Sequence, residues 1–111
     1  MAVEGSTVIG KSIQVRGEIS GAEDVVVHGR LQGSVVLKES RLTVGPEAEL
    51  EAELNVHDAI ILGQVKGNVT ATGRVELRKG ASLMGDLNAA RLSIEEGSGI
   101  QGRVSLSGTK E

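Results

Sequence analysis

Leu83-Met84-Gly85-Asp86-Leu87-Asn88-Ala89 follows the pattern apolar-x-small-x-apolar-x-apolar, and the chain keeps returning to it. Earlier copies are Leu31-x-Gly33-x-Val35-x-Leu37, Leu50-x-Ala52-x-Leu54-x-Val56 and Val65-x-Gly67-x-Val69-x-Ala71. A later one is Ile100-x-Gly102-x-Val104-x-Leu106. The first positions of the five copies are separated by 19, 15, 18 and 17 residues. A shorter match, Ile19-x-Gly21, precedes them all. Ahead of each copy stands a second alternation: Val25-x-Val27, Leu42-x-Val44, Ile60-x-Leu62, Val75-x-Leu77 and Leu92-x-Ile94, with Ile13-x-Val15 ahead of Ile19. Strict period two marks strands with one buried face, because successive strand side chains point to opposite sides. No segment sustains a helical period, and β-branched residues are abundant.

A unit of about 17 residues cannot bury its own apolar face, whereas stacked units share a continuous core. The links between the two alternations come in a long form, as in Val44-Gly45-Pro46-Glu47-Ala48-Glu49-Leu50, and a short form, as in Val27-His28-Gly29-Arg30-Leu31. Short strands with regular glycine-bearing bends predict a parallel β-helix of about six rungs, each with roughly three sides, and a rod about 29 Å long. A sandwich or barrel would need antiparallel hairpins, and the chain holds neither Asn-Gly nor Asp-Gly.

Composition agrees. The 111 residues include no Phe, Tyr or Trp, but 16 Gly. A narrow coil is filled by stacked aliphatic ladders and has no need of aromatic core material. The small residues Gly33, Ala52, Gly67, Gly85 and Gly102 fall at a crowded corner, where a larger side chain is expected to overpack the column. Without aromatics there is no stacking platform for single-stranded nucleic acid, and a net charge of −3 supplies no phosphate-tracking patch. The absence of cysteine removes disulfides, thiol nucleophiles and thiolate metal sites. Neither a secretory signal nor an apolar run of spanning length is visible, so a cytoplasmic protein is expected.

The candidate chemistry is thin, and no catalytic, cofactor-binding or metal-binding residue is assigned. Gly97-Ser98-Gly99-Ile100-Gln101-Gly102 matches a dinucleotide fingerprint, but that fingerprint needs a following helix and here a strand pattern continues. His28 and His57 are the only histidines, one short of the three that an open zinc site uses. Glu47, Glu49, Glu51 and Glu53 read as a solvated acidic face. On the outward positions, Glu51–Lys66 and Asp86–Arg103 are candidate ion pairs, and Val26 and Ile61 are read as exposed aliphatics for a lateral contact.

The opening Thr7-Val8-Ile9-Gly10-Lys11-Ser12-Ile13-Gln14-Val15-Arg16-Gly17-Glu18-Ile19-Ser20-Gly21 resembles the start of a bactofilin domain, as does Asp24-Val25-Val26-Val27-His28-Gly29-Arg30-Leu31-Gln32-Gly33-Ser34-Val35. The resemblance covers residues 7–108, leaving tails at 1–6 and 109–111. It implies a right-handed parallel β-helix of triangular section. It also implies a bacterial cytoskeletal protein that polymerises with itself, without nucleotide or other cofactor, by end-to-end stacking. The scaffolds so formed serve cell shape, polarity or the placement of partners such as cell-wall-remodelling or polarity proteins, some of them at the inner face of the cytoplasmic membrane. Family members often carry a Phe near the C-terminal end of the core, and this chain has none.

Physics points the same way, since a β-helix end exposes unpaired backbone groups and an open apolar section that template further pairing. The expected end contacts are Val8, Ile13, Val15 and Ile19 in the first rung and Leu92, Ile94, Ile100, Val104 and Leu106 in the last. The competing readings are a left-handed hexapeptide-repeat enzyme, either acyltransferase or γ-carbonic anhydrase-like, and a non-polymerising adaptor. The irregular spacing of 15–19 residues argues against the six-residue units of the enzyme.

Overall fold

The computed structural model describes residues 6–21 and 24–106, so almost all of both expected tails lies outside the described residues. Thirteen strands form one sheet, and every strand pairing is parallel. That excludes a hairpin-built sandwich or barrel. The strands wind into a β-solenoid of six coils with three faces.

Face one stacks β1 (Ser6–Ile9), β3 (Asp24–Val27), the end of β4 (Arg30–Val44), the end of β5 (Glu49–Ile61), β8 (Arg74–Leu77) and β11 (Arg91–Ile94). Face two stacks the start of β2 (Gln14–Ser20), the starts of β4 and β5, then β6 (Gln64–Lys66), β9 (Ser82–Met84) and β12 (Gly99–Gln101). Face three stacks the end of β2, the middles of β4 and β5, then β7 (Val69–Ala71), β10 (Leu87–Ala89) and β13 (Val104–Leu106).

The core is a set of aliphatic columns, as the alternation requires. Leu31, Leu50, Val65 and Leu83 form the inward column of face two, and Val35, Leu54, Val69 and Leu87 one of those of face three. All eight are at most 1% exposed. The long links close as turns, with Ala48 N–H donating to the Gly45 carbonyl at 3.0 Å and Ala81 N–H to the Arg78 carbonyl at 2.9 Å.

One alternation falls in a different register from the expected one. Leu42 pairs with Ala59 and Val44 with Ile61, so Ala59 and Ile61 point inward and Ile60 points out. Ile61, expected at a lateral contact, is fully buried in the core. The four apolar residues Ala59-Ile60-Ile61-Leu62 satisfy period two in either phase, and pairing with the previous coil decides between them. Ile61→Ala should therefore cost about 2–5 kcal/mol. Ile60→Ala should cost about 1 kcal/mol or less. Thermal unfolding of the two variants checks this, and the reverse ranking would put the register in error.

The glycine corner also has a different cause from overpacking. Gly33, Gly67, Gly85 and Gly102 have φ between 129° and 141°, a region that side chains rarely enter. A Cβ on Gly85 would sit on the backbone carbonyl of Gly67 in the coil before, not against another side chain. Ala52 occupies the same corner without a positive φ, within the continuous β5.

Candidate assembly interface

Stacking leaves the same columns in two states. One coil in from the C-terminal end, Val75, Leu77, Leu83, Leu87 and Ala89 are at most 1% exposed. Their partners in the last coil are Leu92, Ile94, Ile100, Val104 and Leu106. Ile94 is 55% exposed, Val104 42% and Leu106 46%, while Leu92 and Ile100 are partly buried. The chemistry of the column does not alter at this coil. Only the layer that would cover it is missing among the described residues.

The N-terminal end is similar but smaller. Val15 and Ile19 pair with Leu31 and Val35 and are only partly buried, and Ile13 is 49% exposed. Ile9 points inward and is buried. Val8 therefore cannot be an end residue. It is paired with Val26 and faces sideways, 64% exposed. The expected assignment of Val8 to the end is corrected by the period-two rule that put Ile9 inside.

Val8, Val26, Thr43 and Ile60 thus form one outward column on face one, continued by Glu76 and Ser93. Of the two residues expected at a lateral contact, Val26 belongs to this column and Ile61 is replaced by Ile60. Beside it runs a polar column that sequence reading missed, with Asp24, Arg41, Asp58, Arg74 and Arg91 on successive coils. The Asp24 carboxylate accepts from Arg41 N–H, and the Asp58 carboxylate from Arg74 N–H, each at 2.9 Å. The signal for this column was present in the spacing, but only the coil register assembles it.

The remaining polar candidates find local partners. Glu47 pairs with Lys11 at 3.3 Å and Glu49 with Arg30 at 3.7 Å. Glu51 accepts from Gln32 Nε2 at 3.3 Å, in place of the expected pair with Lys66. Asp86 accepts from the backbone N–H of Arg103 at 3.4 Å rather than pairing with its guanidinium. His57 Nδ1 lies 2.8 Å from Thr72 Oγ1. Gly97 is a turn glycine with φ 85°, and the strand β12 follows it where a dinucleotide site would need a helix. No helix of the described residues is long and apolar enough to cross a membrane.

These features define a class: a parallel β-solenoid whose aliphatic columns run to both ends of the described coils and are left part-covered there. Comparison with known proteins narrows it. The family model "Bactofilin: Polymer-forming cytoskeletal" matches residues 7–105, and the chain belongs to the bactofilin family. It is similar to bactofilin BacO of Myxococcus xanthus, 41% identical over 101 residues that span 91% of this chain and 79% of the relative. Bactofilin BacP of the same organism is 39% identical over 91% of this chain and 42% of that longer relative. Bactofilin BacN, also from M. xanthus, is 32% identical over 52% of this chain and 50% of its own length. No solved structure matches the chain.

Proposed function

We propose that this chain assembles end to end, without nucleotide, into filaments that act as a scaffold rather than as an enzyme. The scaffold serves cell shape, polarity or the placement of partner proteins such as cell-wall-remodelling factors, at the inner face of the cytoplasmic membrane in some settings. The observation that carries the reading is the contrast between the fully buried columns of the fifth coil and the half-exposed continuation of the same columns in the sixth. Covering each aliphatic side chain is worth about 1.5–3 kcal/mol at full burial, and several are presented together at each end. Unpaired strand edges add a directional template for backbone pairing. Membership of a polymer-forming family supports the same reading.

The test is direct. The purified chain, free of nucleotide, should show filaments or ribbons by negative-stain electron microscopy. A single filament should be about as wide as the molecule's 25 × 22 Å short axes. A discrete oligomer that never elongates would overturn the filament reading, and a zinc-binding trimer would favour the hexapeptide-type enzyme instead.

A further inference from the structure

The polar column of face one changes character along its length. Over the second to fourth coils acid and base alternate, as Asp24, Arg41 and Asp58. Over the fifth and sixth coils it does not. Arg74 and Arg91 are direct cross-strand partners. Like charges facing each other across a ladder are unfavourable unless something anionic lies between them. Arg74 has one acid near it, Glu76 at 3.6 Å, and Arg78 shares that same carboxylate at 2.8 Å. Arg41 and Arg91 have no ion-pair partner among the described residues.

These side chains line a single open groove of about 560 Å³ that runs along the solenoid, with Arg41, Arg74, Arg78 and Arg91 set against Asp58 and Glu76. A second depression of about 480 Å³ shares Arg74 and Arg91 and continues to Leu106 in the last coil. The path is therefore elongated and basic, on a chain whose net charge is −3.

We propose that this groove is a docking site for an acidic peptide segment of a partner protein, lying extended along the solenoid axis. Arg41 and Arg91 are three coils apart, about 14 Å at the spacing of stacked strands. Carboxylates four residues apart in an extended peptide span nearly the same distance, at about 3.4 Å per residue. Guanidinium groups bind carboxylates through charge-assisted, paired hydrogen bonds, and a bound carboxylate between Arg74 and Arg91 removes their mutual repulsion. A membrane surface fits less well, because the cations line a concavity and the particle as a whole carries negative charge. The docking site is independent of how the solenoids stack, since all four arginines point sideways.

The probe is a fluorescein-labelled peptide of alternating Glu and Ser, eight residues long, titrated with the whole chain and followed by fluorescence anisotropy. Saturable binding that weakens as salt is raised is expected. The pair Arg74→Gln with Arg91→Gln should lower affinity about tenfold or more. The same loss of charge on face two, Arg16→Gln with Lys66→Gln, should leave it unaltered. Removing the facing arginines should not lower the melting temperature, which separates lost binding from lost fold. Equal weakening by both pairs would show attraction to net charge alone and overturn the proposal. So would an unbound peptide, or sedimentation of the protein with phosphatidylglycerol vesicles when the peptide does not bind. Inorganic phosphate at millimolar concentration should compete weakly. Full displacement by it would mean a phosphate site and not a peptide groove.

Discussion

Val104→Glu should yield a folded protein that no longer forms filaments, and Leu92→Asp should do the same. Both side chains belong to inward columns of the last coil, over Leu87 and Val75 respectively. Val104 is 42% exposed, so a glutamate there can stay in water as long as the end is free. Once a second solenoid covers the end, that carboxylate must leave water among aliphatic side chains with no basic partner in its column. The cost of burying it unpaired is several kcal/mol. A penalty of about 4 kcal/mol weakens the end contact roughly a thousandfold, enough to remove polymer at ordinary protein concentrations. Ser34→Glu places the same charge on the outward side of face three, beside Glu18 and Glu53 in its column, and should polymerise like the parent. Sedimentation with electron microscopy reads out assembly, and circular dichroism confirms that the monomer is folded. If Val104→Glu and Ser34→Glu form filaments equally well, the open columns are not the contact.

The parts of this structure that can be read from sequence are those governed by one strand at a time. Period two sorts Val25, Val27, Leu31, Val35 and Leu37 to the inside without any knowledge of their neighbours, and all five are buried. Ala59-Ile60-Ile61-Leu62 defeats the same rule, because an unbroken apolar run carries no phase. There the choice belongs to the pairing of Val44 with Ile61, a contact 17 residues away in sequence. Val8 is a milder case. Its exposure follows once Ile9 is placed inside, but the first coil has no earlier alternation to compare it with. The arginine groove is least legible of all. Arg41, Arg74 and Arg91 are spread over 51 positions of the chain, and neither their spacing nor their immediate context marks them as neighbours. They share a face because coil lengths vary in a way that keeps every column aligned, and that compensation is visible only in three dimensions. The end contacts lie between these extremes. Their residues follow from the repeat, but the observation that they remain half-exposed in the last coil requires the packed structure.

The glycine corner supplies the second large effect, because one substitution has opposite consequences at different heights in the stack. Each corner glycine directs its missing Cβ toward the coil before it: Gly33 toward Gly17, Gly67 toward Ala52, Gly85 toward Gly67 and Gly102 toward Gly85. Gly85→Ala therefore meets two costs at once. Its φ of 134° is strained for any side chain, and the methyl group overlaps the Gly67 carbonyl, whose backbone lies mid-stack and cannot move aside. The combined loss should be about 3 kcal/mol or more. At about 4–8 °C per kcal/mol for a domain of this size, that lowers the melting temperature by more than about 12 °C.

Gly17→Ala shares the unfavourable φ, at 126°, but its Cβ meets nothing within 4 Å, because no coil precedes the first. Stability should fall by only about 1 kcal/mol, the lower end for such strain. Assembly is where this variant fails. The added methyl projects from the N-terminal end into the space that the backbone of an abutting solenoid would fill, as Gly17 itself lies against Gly33 one coil in. Filaments should disappear while the protein stays folded. The residual species reports polarity: monomers if each N-terminal end meets a C-terminal end, dimers if like ends meet. Gly80→Ala is the control, since its φ of 87° carries strain at a turn whose Cβ is likewise free of contacts, yet it lies away from both ends. Analytical ultracentrifugation beside a melting curve separates all three variants. Long filaments of Gly17→Ala would mean that the N-terminal end is not closed by coil-on-coil stacking.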